Sequence, residues 1–198
     1  MKFLQLHETP GARPGPSLMG AMVGSAIGLS AVFTAGYSIW AFRLIRESAL
    51  QYAAIATVIF CLGGFVIQRA VVRRGAAWSF PVCFAIGFIA YAVLWSAAWM
   101  GLRGKYQADL IGAVLGLAAL VWLWRRAFGG TAGFAELFLG LLVCHSIGYY
   151  IGGELHALVP GRTGKLFWGA SHGLGFGAGM GFVLQRLQRL QRPAKAAR

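Results

Sequence analysis

Four side chains in the last third of the chain combine ionisable chemistry with apolar surroundings: His145, Glu154, His156 and His172. Each interrupts a run of residues otherwise fit for a hydrocarbon interior. An ionisable group at the centre of such a run costs about 2.5–3.5 kcal/mol and marks a functional site by default. Imidazoles there can pass a proton, hold a metal through a neutral ring nitrogen, or ligate haem in pairs. Asp109 and Glu136 fall within a turn or so of the ends of their runs, where they reach water, and are set aside.

Spacing limits which of the four can meet. With helix 5 leaving the membrane near Pro160 and helix 6 re-entering after Lys165, Glu154 lies about 9 Å, His156 about 6 Å and His172 about 10 Å below one surface. His145 lies about 16 Å deeper than His156 and shares its face, together with Tyr149 and Gly152. Glu154 sits about 200° around the helix from His156. The pattern predicts a polar cluster of His156, His172 and either Glu154 or Tyr149, with His145 behind it, provided helix 5 loosens at Gly152 and Gly153. His156 and His172 are the candidate metal ligands, but no H-x-x-x-H or E-x-x-H spacing supports them, so the sequence names no cofactor. Plainer uses compete. His156 can be an interfacial histidine, His172 can bond Tyr149 or Tyr150, and Glu154 can pair with Arg162 or Lys165.

The elements that must position these groups follow from composition. The chain has 198 residues, 58% hydrophobic and 12% charged, about half the charged share of a soluble domain. Its mean hydropathy is +0.67. About 20 apolar residues span the hydrocarbon, and six such segments are read at 17–41, 50–68, 79–101, 108–124, 133–159 and 165–185. The fold expected is an all-α, polytopic integral membrane bundle of about six helices, 17–185, between a polar tail, 1–16, and a basic tail, 186–198. The apolar run begins too late, at Ser17, for a cleavable signal, so helix 1 is read as retained.

The net charge of +13 is loop charge, because no Arg lies within a segment and Lys165 stands at a boundary. These short loops offer no groove for a phosphate backbone, which excludes nucleic acid as a partner. Twelve Lys and Arg on the side of the termini against six on the other place both termini in the cytoplasm by the positive-inside rule. Trp40, Trp78, Trp99, Trp122, Trp124 and Trp168 fall near segment ends, as an interfacial belt predicts. Cys61, Cys83 and Cys144 lie within segments and suggest apolar packing rather than a disulfide.

Small residues mark where membrane helices meet, since lipid tails give helices no hydrophobic reason to associate. Gly169, Gly173, Gly177 and Gly181 fall on a strict four-residue step in helix 6, and Gly20, Gly24 and Gly28 do so in helix 1. Both helices are expected to present flat packing faces, used within the chain, in a homo-oligomer, or against a larger membrane complex.

Resemblances to nucleotide sites fail. Gly161–Lys165 lacks the first glycine and the final Ser or Thr of a phosphate loop, and Gly173-Leu-Gly-Phe-Gly follows no strand. Ser171 and His172 are adjacent and point to different sides of a helix, so no nucleophile–base pair is read and the question of an enzyme stays open, with a non-enzyme favoured. Three functions remain open. One is binding or transport of a small solute or ion at the polar site between helices 5 and 6. Another is an accessory subunit docked through its glycine faces, and the third a haem- or metal-bearing redox protein.

Overall fold

The computed structural model describes residues 15–68, 79–129 and 132–189. Residues 1–14 of the expected N-terminal tail, Arg69, Arg73 and Arg74 of the second loop, and the tail beyond Arg189 lie outside the described residues. The rest is helical, with no strand among the described residues. The helices are α1 (Leu18–Ala41), α2 (Ser48–Ile67), α3 (Ser79–Gly101), α4 (Ala108–Ala127), α5 (Phe134–Leu158) and α6 (Arg162–Arg189). Their connections are short, so consecutive helices run antiparallel. α6 packs back on α1 and closes the six into a ring in chain order.

Local chemistry sets the ends. The Ser17 hydroxyl accepts the Gly20 N–H at the start of α1. Glu47 caps α2 by accepting from the N–H groups of Ala49 and Leu50, which holds its carboxyl below its ordinary range. Gly161, at φ 93°, turns the chain between α5 and α6 in a conformation that favours glycine. That turn is tighter than the sequence suggests, and α6 begins at Arg162 rather than Lys165.

Five helices, α1 to α5, are long and apolar enough to cross a membrane. Their large exposed side chains, such as Ile27, Leu62, Ile89, Leu115 and Ile147, suit contact with lipid. α6 falls short of that measure although it is the longest, because seven of its 28 residues are glycine and it carries Arg162, Lys165, Arg186 and Arg189. Thirteen of its residues are buried, more than in any other helix. A helix enclosed by protein needs close fit more than hydrophobicity.

The glycines show how that fit is made. A Cβ on Gly173 would lie 2.6 Å from both the Leu29 carbonyl oxygen and Ser30 Cα. One on Gly177 would press into the Ser25 carbonyl, one on Gly181 into that of Ala21, and one on Gly169 would meet Tyr37 Cβ at 2.7 Å. The Ser30 hydroxyl crosses the seam to donate to the Ala170 carbonyl at 3.0 Å. The far side of α6 meets α5 just as closely, with Gly175 against Gly148 and Cys144 and Gly179 against Leu141. Gly152 admits the Trp168 backbone, and Gly112 and Gly116 admit Trp95 and Tyr91 at the α3–α4 seam.

The face expected on α1 needs correcting. Gly24 has nothing within 4 Å of an added Cβ, Gly20 neighbours only its own cap, and Gly28 faces Val66 of α2. The row that meets α6 is Ala21, Ser25, Leu29 and Phe33, one residue further round. α6 supplies the clearance for both helices, so α1 needs no glycine there. Gly177→Leu is expected to lower stability by more than 1–3 kcal/mol, the usual cost of overpacking, because backbone blocks relief, whereas Gly24→Leu leaves it unchanged. Unfolding in mixed detergent–SDS micelles reads both.

Candidate functional site

The ring of helices encloses one polar group of side chains in an aromatic core. His145 on α5 and His172 on α6 are 2% and 6% exposed. Their Nε2 atoms approach to 3.2 Å, with the rings nearly perpendicular and their centroids 4.9 Å apart. Gly148 and Gly175 let α5 and α6 come this close just beside the pair. His145 lies eleven residues into a helix of 25, which puts it near mid-span.

A tyrosine reaches each imidazole from another helix. The Tyr37 hydroxyl on α1 lies 3.1 Å from His172 Nδ1, and the Tyr91 hydroxyl on α3 lies 2.9 Å from His145 Nε2. The result is a hydrogen-bonded chain, Tyr37–His172–His145–Tyr91, across four helices. Two neutral imidazoles bond through Nε2 only if one carries the proton there and the other does not. With His172 protonated on Nε2, its Nδ1 accepts from Tyr37, and the single lone pair of His145 Nε2 is shared between the His172 N–H and the Tyr91 O–H. With the proton on His145 instead, His172 Nδ1–H donates to Tyr37. In both arrangements His145 Nδ1 is buried without a partner.

Aromatic rings wall in the pair. Phe33 lies 4.8 Å from His172, Phe176 lies 5.4 Å from His145, and Tyr149 stacks on His145 at 6.0 Å. Away from α6's start the wall continues as Phe88, Phe84 and Trp124, all buried, with no polar partner at the Trp124 indole N–H. On that side the wall is thus apolar apart from the Trp124 N–H.

The other expected site residues sit elsewhere. His156 lies at the rim between Trp40 and Trp168, with ring centroids at 5.4 and 5.7 Å. Trp168 separates it from the pair, since its ring also meets Tyr149 at 5.5 Å. Glu154 is exposed and forms no ion pair among the described residues. Arg162 lies over Phe42 and Lys165 over Trp40, rather than beside Glu154. α5 stays continuous through Gly152 and Gly153, so the loosening that would have joined Glu154 and His156 to His172 does not occur. The expected site between helices 5 and 6 is instead shared by α1, α3, α5 and α6. Tyr37 and Tyr91 were missed because phenols carry no charge cost in an apolar segment.

The donor set tests the cofactor readings. No group of three His, Cys, Asp or Glu that could hold a metal occurs among the described residues. The site offers two imidazoles and two phenols, and phenols are not among the Cys, His, Asp and Glu ligands that complete a structural zinc site. Haem would need an iron and its macrocycle between the imidazoles, where the Nε2 atoms already touch and Phe33, Phe176 and Tyr149 fill the flanks. The closed arrangement does not accommodate it.

By architecture this is a polytopic helical membrane protein with a buried histidine pair. No protein-family model, curated protein or solved structure matches the chain.

Tyr37→Phe leaves His172 Nδ1 buried and unpaired, which is expected to cost about 1–3 kcal/mol. Tyr91→Phe leaves His145 Nε2 bonded to His172 and costs less. Parallel unfolding titrations rank the two, and the reverse order contradicts the hydrogen-bond assignment.

Proposed function

We propose that the protein moves protons across the membrane, with the His145–His172 pair as the group that carries them. The observation that carries this reading is the 3.2 Å Nε2–Nε2 contact, continued to a tyrosine hydroxyl at each end. A proton taken up at His172 Nδ1 from the Tyr37 side lets His172 pass its Nε2 proton to His145 Nε2, which leaves His172 neutral and His145 an imidazolium. Release then goes from His145 Nδ1–H, since Tyr91 meets the nitrogen that received the proton. An added proton shared between the two Nε2 atoms is stabilised by both rings, and mid-span histidines without carboxylate partners suit transient rather than permanent charge.

Access runs from the end where α1 finishes and α6 starts. There Tyr37, Trp40, Trp168 and His156 form a continuous set of rings above His172. The opposite half is closed by Phe84, Phe88, Phe176 and Trp124, which must part for release. The surplus of Lys and Arg on the side of the termini supports a cytoplasmic location for both, and on that reading the aromatic barrier faces the cytoplasm.

The accessory-subunit reading has less behind it, because Gly169, Gly173, Gly177 and Gly181 are occupied by α1 of the same chain. Reconstitution in liposomes loaded with a pH-sensitive dye, under a potassium diffusion potential, tests the proposal. Wild type is expected to acidify the lumen well above empty liposomes, with His145→Ala and His172→Ala each at least tenfold slower. Tyr150→Phe, an exposed change, should match wild type. Wild-type flux equal to that of empty liposomes, in protein that stays monodisperse, would refute the reading.

A further inference from the structure

A second feature lies at the membrane-facing rim, apart from the histidine pair. Where α1 ends and α2 and α6 begin, Trp40, Arg43, Ile45, Arg46, Gln51 and Lys165 line a cleft of about 580 Å³. Three of the six are cationic. None of them has an acidic partner among the described residues. Glu47, next in sequence to Arg46, is turned to the start of α2, where its carboxylate caps Ala49 and Leu50. The cations are therefore left without a counter-charge from the chain.

Two further placements bear on what the cleft can hold. Arg162 and Lys165 occupy the first turn of α6, which has no acidic residue. Cations there oppose the positive end of the helix dipole, which attracts anions. Arg43 takes φ 53° at the turn after α1, where its N–H bonds Trp40 and the Leu44 N–H reaches back to Ile39. That left-handed position usually belongs to glycine, and here it aims a guanidinium at the cleft. Lys165 Nζ sits 4.3 Å from the Trp40 ring centroid, which keeps the ammonium beside the opening.

We propose that this cleft binds the phosphate of an anionic phospholipid, with Arg43, Arg46 and Lys165 as its ligands. Guanidinium groups form paired hydrogen bonds to phosphate oxygens, and the lysine adds a point charge. The lipid source follows from position: the cleft opens at the end of two apolar helices, beside the exposed side chains of Leu44, Leu50 and Tyr52, which suit the start of an acyl chain. The site shares Trp40 with the approach to His172 but includes neither histidine of the pair.

The test uses full-length protein in mild detergent, titrated with phosphatidylglycerol or phosphatidylcholine and followed by native mass spectrometry and thermal melting. Phosphatidylglycerol is expected to bind at least tenfold more tightly than phosphatidylcholine and to raise the melting temperature. The preference should fall at least tenfold in the Arg43→Gln/Arg46→Gln variant and in Lys165→Gln. The matched control is Arg103→Gln/Lys105→Gln. Arg103 holds the same left-handed position after α3 and lies outside the cleft. Melting of each variant without lipid reports its folding. Equal lipid preference in the cleft variants and the control overturns the site. Inorganic phosphate at millimolar concentration that displaces the lipid and stabilises as well as it does overturns the lipid source, in favour of a soluble phosphate ligand.

Discussion

The close approach of α6 to α1 and α5 is the constraint on which everything else depends. Lipid gives helices no hydrophobic reason to associate, so contact must come from fit. On one side the glycines of α6 let the carbonyls of Ala21, Ser25 and Leu29 come up against its backbone. On the other, Gly175 and Gly148 meet almost backbone to backbone. His172 lies on the helix held between these two seams. The same fit that makes the bundle brings its imidazole to Tyr37 on one neighbour and His145 on the other.

Placing two imidazoles in a core of phenylalanine carries a desolvation cost that only mutual hydrogen bonding offsets. The pair meets that demand incompletely, since His145 Nδ1 has no partner. A purely structural polar contact would gain from closing that gap. Under the proposed proton transfer, that nitrogen is the one from which His145 would release its proton. The division of the interior supports the same view, with Tyr37, Tyr149 and His156 on one side of the pair and Phe84, Phe88 and Trp124 on the other. A barrier on one side and a ring-lined approach on the other is the arrangement expected of a site reached from one face at a time.

Much of this was legible in the order of residues. The segments read between the arginine clusters coincide with the helices to within a turn, because hydrocarbon thickness sets span length and charge sets its limits. The ionisable residues of the last two helices were legible as exceptions, and two of them, His145 and His172, form the pair. Glu154 and His156 were exceptions for a plainer reason, since both lie near a helix end. Tyr37 and Tyr91 gave no such signal, and the glycine step in α1 signalled a face that α1 does not use.

The sequence alone determined the class of protein, the approximate bounds of its helices and the height of each polar group along them, because rise per residue converts sequence position into distance along a helix. Which way each helix faces was decided only in three dimensions. A helix that is apolar all round carries no stripe to show its inner face, so rotation about its axis is set by steric fit with neighbours. Here that fit turned Leu29 rather than Gly28 toward α6 and brought α1 and α3 into a site that α5 and α6 alone would not complete.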